Sequence, residues 1–329
     1  MTAIALQGAW RRAARMDLLT MAMVLVAIVL ALAEPRFLSG QNLLNLLRGA
    51  ALLMIVSIGQ MLVLVSRGFD LSVGSVMALV SVVSASVMVH ATAVLGPEVG
   101  VFVGVLAGLG AGAVVGLVNG LCVAWLGIAP FMVTLATASM AGGLALLLTN
   151  GIPVYGLPEG FVEWGRSLWW GVPAAVYLAA LVIGVVSWVQ GRTVLGLHLY
   201  AVGGNTQAAR VSGLPVRRCQ VLVYVACSLL AAIASLLLTA QLGSGQGSLE
   251  DTIALQSIGA AVIAGVSLQG GVGKAVRVAL GALFLLLLNN AMDLLRIHSK
   301  AQAIVMGIFI VLVVALEELR KHRAQGGRS

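Results

Sequence analysis

A basic segment without acidic residues, residues 191–218, is the part of this 329-residue sequence best suited to recognise a partner. Its cationic and imidazole side chains are Arg192, His198, Arg210, Arg217 and Arg218. Charges of a single sign steer a complementary surface into place. Because the flanking stretches are apolar enough to lie in lipid, we expect this segment at a membrane surface, where it would bind another protein.

Covalent chemistry is not indicated elsewhere in the sequence. The segment GGVGKA at 270–275 differs from a phosphate-binding loop, since Leu268 stands at the leading glycine position and Ala275 at the Ser/Thr position. We expect a glycine-rich turn there and no ATP hydrolysis by this chain alone. The three cysteines lack metal-ligand spacing, so no catalytic, cofactor-binding or metal-binding residue is predicted.

Polar residues deep inside the apolar stretches are uncharged amides and hydroxyls. They are Gln60, Asn119, Thr134, Thr137, Gln256, Asn289, Asn290 and Gln302. Each alone predicts a hydrogen bond between neighbouring helices, whereas together they suit a route for a neutral hydroxylated solute. Charged residues are expected only at span ends, which argues against coupling to protons or sodium.

The sequence RGFDLSVGS at 67–75 interrupts an otherwise apolar stretch. Asp70 or Ser72 is predicted to cap the following helix by accepting backbone N–H bonds. The alternative is an irregular segment that lines the solute route, because such backbone needs protein or water around it at membrane depth. The candidate route residues are Gln60, Asp70, Ser72, Asn119, Thr134, Asn289 and Asn290.

Composition identifies the class of protein that must position these residues. Apolar residues make up 60% of the chain and charged residues only 9%, whereas soluble domains contain about a quarter charged residues. Residues 99–158 contain no Asp, Glu, Lys, Arg or His. We therefore predict an all-α polytopic membrane protein. The net charge of +8 comes from residues beside spans and does not indicate nucleic-acid binding.

About ten transmembrane helices follow from charge and turn signals. The predicted spans are 18–33, 49–66, 72–93, 99–121, 130–149, 172–190, 219–240, 252–269, 278–292 and 302–316. With the N-terminus inside, 14 of the 19 Lys and Arg residues lie on the inner side, as the positive-inside rule requires. Residues 1–17 and 317–329 are therefore predicted to be cytosolic, and 18–316 to form one transmembrane domain with 191–218 as a cytosolic loop.

Glycines recur at every fourth position along the fourth predicted span. They are Gly100, Gly104, Gly108, Gly112, Gly116 and Gly120. This spacing places them on one helix face, where the missing side chains allow a neighbouring backbone to approach closely. We interpret the stripe as a packing face, and a pore-lining face is the alternative.

Several motifs resemble the permease subunit of monosaccharide ABC importers of the ribose/xylose/arabinose type. They are GFDLSVGSVMAL at 68–79, LYAVGGNTQAARVSGLPV at 199–216, GVSLQGGVG at 265–273, LLNNAMDLL at 287–295, FMVTLA at 131–136 and NGIPV at 150–154. The resemblance covers roughly residues 20–316 and implies a vitamin-B12-importer-like (type II) ABC permease fold in a bacterial inner membrane.

The same resemblance implies partners and a role for the basic segment. The permease would pair with a second copy or a paralogue, with cytosolic ATPases that hold ATP and Mg, and with a periplasmic sugar-binding protein, all in contact with membrane lipid. This chain would hold no cofactor. The residues that match the ATPase-coupling segment are Gly203, Gly204, Asn205, Ala208, Ala209, Arg210, Ser212 and Gly213. We expect a short helix that ends near Gly213, with Arg210 facing outward.

Two stretches depart from the family pattern, and both departures remove charge. Residues 254–259 read ALQSIG where the family usually has Glu-Leu-Asp-Ala-Ile-Ala, and Gly142-Gly143 stand where it usually has Arg-Gly. One hypothesis is that this permease pairs with a more typical paralogue, which identifying the permeases in the isolated complex would test. A homodimer remains the alternative.

The sequence thus predicts an ABC importer permease for a monosaccharide or similar neutral polyhydroxylated solute. One alternative is an ATP-independent secondary carrier or facilitator of small neutral solutes, and another is a membrane-embedded enzyme or scaffold. The lack of clustered catalytic polar residues disfavours the last of these.

Overall fold

The structure, a computed structural model, describes residues 18–248, 252–298, 300–309, 311–312 and 315. The predicted cytosolic segments, 1–17 and 317–329, lie outside these residues. The described chain divides into two compact units, with unit 1 containing residues up to 46 and from 283 onwards, and unit 2 containing residues 47–282. Each unit is described by itself.

Helices dominate the described residues, as the composition predicts. In chain order they are α1 (Leu18–Ala33), a 3-10 turn (Pro35–Leu38), α2 (Gly40–Val65), α3 (Val73–Leu95), α4 (Pro97–Ala124), α5 (Pro130–Thr149), α6 (Glu159–Arg166), α7 (Ala174–Arg192), α8 (Val194–Gly204), α9 (Thr206–Val211), α10 (Val216–Leu242), α11 (Thr252–Ile263), α12 (Ala275–Leu294) and α13 (Lys300–Phe309). Strands β1 (Leu168–Trp169) and β2 (Val172–Pro173) form an antiparallel pair between α6 and α7.

All ten predicted spans contain a helix, but only seven described helices are long and apolar enough to cross a membrane. These seven are α2, α3, α4, α5, α7, α10 and α12. Over the residues that the structure describes, α1, α11 and α13 are shorter than the roughly 20 residues that a bilayer core requires. The eighth predicted span ends early because α11 stops at Ile263 and the following turn contains Gly265 at φ 82°.

The glycine stripe on α4 is a packing face, as the sequence indicates. All six glycines are buried. A Cβ on Gly104 would lie 2.7 Å from Met88 Cβ of α3, whereas a Cβ on Gly116 would lie 2.8 Å from Tyr224 O of α10. One glycine face therefore admits two neighbours, α3 along its first half and α10 along its second.

The core of unit 2 consists mainly of aliphatic side chains from these packed helices, together with sulfur-containing side chains and Tyr224. Ile55, Ile58 and Met61 of α2, Met77 of α3 and Tyr224 of α10 are almost completely buried. Interhelical hydrogen bonds are few, and one of them joins Ser235 Oγ to Met77 O at 2.6 Å. Dispersion contacts and close backbone approach therefore supply most of the contact between these helices, as expected for helices in lipid.

Unit 1 is held together by a small apolar cluster and an amide pair. Leu30, Phe37 and Leu287 form the buried centre of the cluster. Asn42 Nδ2 donates to Asn290 Oδ1 at 3.1 Å, and Asn290 Nδ2 donates back to Asn42 Oδ1 at 2.7 Å. This reciprocal pair joins the first turn of α2 to α12.

We expect Gly116→Ala to lower the free energy of unfolding by about 1–3 kcal/mol, the usual cost of overpacking. The added methyl group would meet the backbone of Tyr224 and Val225 at 2.8 Å, and backbone cannot move aside as a flexible side chain can. Gly110→Ala is the matched control, because Gly110 lies on the exposed face of α4 with nothing within 4 Å of its Cβ position. Thermal unfolding in detergent measures both, and equal stability of the two variants would contradict the packing role.

Candidate functional site: the basic segment and the buried polar chain

The basic segment folds into two short helices, where the sequence predicted one short helix ending near Gly213. Thr193 caps α8 by accepting the Gly196 N–H at 3.3 Å. Asn205 ends α8 and caps α9, because its Oδ1 accepts the Ala208 N–H at 2.9 Å. The chain leaves α9 through Gly213, whose φ of 77° suits glycine. Polar side chains thus cap the amino ends of both helices, and both helices are too short to span a membrane.

The eight predicted coupling residues divide into an exposed set and a buried pair. The exposed members are Gly204, Asn205, Ala208, Arg210, Ser212 and Gly213. Ala209 packs in a small cluster with Val202, Val216 and Cys219, and Gly203 is also buried. The prediction that Arg210 faces outward is confirmed. The exposed set forms the surface available to a partner, and the buried pair anchors that surface to the helices behind it.

Three motifs that are far apart in the sequence meet at one place, which we name the glycine junction (Val65–Arg67, Gly203–Gly204 and Gly270–Gly271). Gly271 N donates to Val65 O at 2.9 Å. Gly203 packs so tightly against Val65 O that no room remains for a Cβ. Gly270 and Gly271 have φ of 85° and 75°, so the predicted glycine-rich turn is confirmed.

Within the glycine junction, the Arg67 side chain connects the end of α2 to the end of α8. Its Nε donates to Gly203 O at 2.7 Å, and its Nη2 donates to Gly204 O at 2.6 Å. A cation at the carboxyl end of α8 is favoured by the helix dipole and satisfies carbonyls that have no partner within the helix. Arg67 has φ of 67°, a conformation costly for a residue with a side chain. The guanidinium bonds hold this strained turn in place.

The role of Arg67 was not predicted, since its sequence position indicates only a span end. Its partners are backbone carbonyls, and the nearer of them lies 136 positions away in the sequence. No pattern of side chains predicts a bond to such distant backbone groups. The one available signal was local, since Arg67 follows an apolar helix directly and precedes Gly68.

Four side chains form what we name the buried polar chain. Asp70 Oδ1 accepts from Ser72 N at 2.8 Å and from Ser72 Oγ at 2.6 Å. Asn119 Nδ2 donates to Ser72 Oγ at 2.9 Å, and Thr137 Oγ1 donates to Asn119 Oδ1 at 2.7 Å. Asp70, Ser72 and Asn119 have no exposed surface. The chain ties the segment before α3 to α4 and α5.

Asp70 lies between α2 and α3, and the predicted side-chain cap of α3 by Asp70 or Ser72 is not formed. Ser72 stands at the N-cap position without a side-chain cap bond, and the Asp70 carboxyl group accepts the N–H of Ser72 itself, which closes the turn before the helix. Burial raises the pKa of the Asp70 carboxyl, and the two hydrogen bonds from Ser72 offset part of that rise.

The candidate route residues are only partly brought together. Asp70, Ser72 and Asn119 bond to one another, and Thr134 lies near them on α5 but donates to Pro130 O at 2.9 Å. Gln60 is completely buried in unit 2, and its amide makes no hydrogen bond to a described residue. Asn289 and Asn290 belong to unit 1, where Asn290 pairs with Asn42. In unit 2 the hydroxyls and amides of the buried polar chain therefore join helices in this conformation.

Comparison with known proteins agrees with the sequence motifs. The family model described as "Branched-chain amino acid transport system / permease component" matches residues 42–314. The chain is 38% identical to the ribose import permease protein RbsC of Bacillus subtilis, over 89% of each chain. It is 36% identical to the L-arabinose transport system permease protein AraH of Escherichia coli, over 89% of this chain and 88% of that one.

A probable ABC transporter permease protein of Sinorhizobium fredii, y4mJ, is 37% identical over 92% of this chain and 89% of its own. No solved structure matches this chain at a significant level. Because the family model covers most of the chain and these relatives align along nearly their whole lengths, this chain belongs to the family of ABC transport-system permease components.

Proposed function

We propose that this chain is the membrane-spanning permease subunit of an ATP-driven ABC importer that moves a monosaccharide or similar neutral polyhydroxylated solute into the cytosol. The observation that carries the proposal is the similarity, over about nine-tenths of each chain, to permeases named for ribose and arabinose. The bundle needs no covalent step, because its task is to provide and open a path.

The polarity of the helices favours a sugar over an amino acid, although the family description mentions branched-chain amino acids. A free amino acid carries a carboxylate and an ammonium group, and each needs a compensating charge or helix terminus within the membrane. Within the described helices the buried polar side chains are neutral hydroxyls and amides such as Asn119, Thr134 and Gln60, and the one buried carboxyl group of the described residues, that of Asp70, lies between α2 and α3. A neutral polyol can exchange hydrogen bonds with such groups without leaving a charge unpaired.

The exposed set on the basic segment is the proposed docking surface for the cytosolic ATPase. Arg210, Asn205 and Ser212 offer charge and hydrogen bonds at the surface, while Ala209 anchors α9 to the bundle. ATP and Mg would be held by the ATPase, since this chain lacks a phosphate-binding loop. Movement of the ATPases would then displace α8 and α9 together.

The glycine junction supplies a path by which that displacement reaches the membrane-spanning helices. Arg67 donates hydrogen bonds to the carboxyl end of α8 and lies three residues before Asp70. Asp70 begins the buried polar chain, which continues through Ser72 and Asn119 to α5. A pull on α8 would therefore act on α3, α4 and α5 through the Arg67 hydrogen bonds, the short backbone segment from Arg67 to Asp70 and the side-chain hydrogen bonds that follow.

The complete transporter would contain further subunits in the bacterial inner membrane. We propose a second permease, either a copy or a paralogue, and a periplasmic sugar-binding protein that selects the solute. The described helices would adopt the type II permease arrangement, with both termini in the cytosol. Nothing in the comparisons favours an ATP-independent carrier.

Uptake by the reconstituted complex should depend on ATP hydrolysis. In proteoliposomes, the permease with its ATPase and binding protein should accumulate labelled sugar with ATP and should not accumulate it with a non-hydrolysable ATP analogue. Permease alone is the control. Equal sugar entry into vesicles with permease alone would contradict the proposal and support a facilitator.

Arg210→Glu should weaken binding of the ATPase about fivefold or more, because a rim charge pair of about 1 kcal/mol would become a repulsion. The matched control is Arg192→Glu, which reverses an exposed arginine at the end of α7, outside the exposed coupling set. Co-elution and sugar uptake measure the effect. Normal co-elution and uptake with Arg210→Glu would contradict the docking role.

Arg67→Gly should uncouple hydrolysis from transport while the permease stays folded. Glycine suits the φ of 67° at this position, but it lacks the guanidinium that binds Gly203 O and Gly204 O. We expect the ratio of sugar moved to ATP hydrolysed to fall roughly tenfold, since charge-assisted hydrogen bonds are lost. Thermal unfolding checks the fold, and Arg67→Lys, which keeps the positive charge but replaces the two donor nitrogens by a single ammonium group, should be intermediate. An unchanged ratio in Arg67→Gly would contradict a transmitting role.

A further inference from the structure

A basic pocket lies where the basic segment enters α10, next to the end of α4. Its volume is about 370 Å³, and its lining consists of Trp125, three arginines and the turn Leu214–Val216. The arginines are Arg210, Arg217 and Arg218. The guanidinium carbon of Arg217 lies 4.9 Å from the centre of the Trp125 ring, which is within range of a cation–π contact. The indole therefore positions one cation at the pocket wall.

The three positive charges of the pocket have no anionic partner among the described residues. The single ion pair found there joins Arg36 and Glu34, in unit 1. Arg217 and Arg218 also lie in the first turn of α10, at the positive end of the helix dipole. Cations are unfavourable at that end of a helix, so an anion entering the pocket would be attracted by both the side chains and the helix.

The surroundings of the pocket are those of a membrane surface. α4 and α10 are both long enough to span the bilayer, and the pocket lies where α4 ends and α10 begins. The two helices touch at this level, since a Cβ on Gly120 would lie 2.8 Å from Val221 Cα. Beside this contact, Leu121 and Leu222 are 42% and 53% exposed. Leu121 precedes Trp125 by one helical turn, and Leu222 follows Arg218 by one.

We propose that this pocket binds the phosphate group of an anionic phospholipid. The guanidinium groups of Arg217 and Arg218 would hold the phosphate oxygens. The acyl chains would lie along Leu121 and Leu222, on the face shared by α4 and α10. Arginine is suited to phosphate because its planar donors match the oxygens in pairs.

A lipid fits these observations better than a soluble ligand or a protein. A free phosphate would use the arginines but would leave the apolar stripe of Leu121 and Leu222 uncovered. An ATPase in the cytosol could reach Arg210, but it could not follow the stripe into the bilayer. Basic pockets beside membrane-spanning helices on the cytosolic side are established positions for anionic head groups. The proposal does not depend on which solute is transported.

Native mass spectrometry of the detergent-purified permease, titrated with phosphatidylglycerol or phosphatidylcholine, tests the proposal. The native chain should retain phosphatidylglycerol in preference to phosphatidylcholine. The double variant Arg217→Gln/Arg218→Gln should bind phosphatidylglycerol about 25-fold more weakly, since each basic residue near an anionic membrane surface contributes roughly fivefold. Trp125→Leu should weaken binding less, because it removes the ring that positions Arg217 but keeps every charge.

Arg192→Gln is the matched control, because it removes an exposed arginine from the same basic segment but outside the pocket. It should bind phosphatidylglycerol as the native chain does. Equal binding by the double variant and the native chain would overturn the proposal. Displacement of the lipid by millimolar inorganic phosphate would also overturn it, and would identify a phosphate site instead. Displacement by the purified ATPase would identify the pocket as part of the ATPase interface and equally reject the lipid.

Discussion

Close approach of helix backbones is the constraint on which the rest of unit 2 depends. In lipid, apolar side chains gain little by leaving the solvent for one another, so helices associate through packing and a few hydrogen bonds. The glycine face of α4 removes the side chains that would hold α3 and α10 away. Asn119 stands between Gly116 and Gly120 on that face, and its short side chain reaches Ser72 because the helices are close. The buried polar chain is thus a product of the glycine packing.

Glycine has a different use at the glycine junction. On α4 it brings two regular helices together, but Gly203 lets the end of α8 press on the Val65 carbonyl. Arg67 then binds the carbonyls of Gly203 and Gly204. The contact joins α8 to the residues at the end of α2 through backbone groups and the Arg67 side chain. Backbone groups cannot rotate away as side chains do, so such a junction is suited to transmit displacement.

Patterns in the sequence predicted those features that depend on local periodicity or on charge. The uncharged stretches located the helices, and the four-residue glycine repeat identified the packing face of α4. The same reasoning overestimated α11, because hydropathy continues past Ile263 while the backbone turns at Gly265. It also treated the basic segment as one helix, since the capping role of Asn205 depends on a backbone geometry that hydropathy does not encode.

Contacts between distant backbone and side-chain groups could not be predicted in the same way. The Arg67 bonds to Gly203 and Gly204 and the Arg217 contact with Trp125 both join residues nearly a hundred or more positions apart. Both involve arginines that the positive-inside rule explains equally well as signals of orientation. In the structure the two arginines differ in their partners. Arg67 binds helix carbonyls, whereas Arg217 lies over the Trp125 ring at a pocket without acidic residues. Arginines with the same charge can therefore serve different roles, each set by the groups around it.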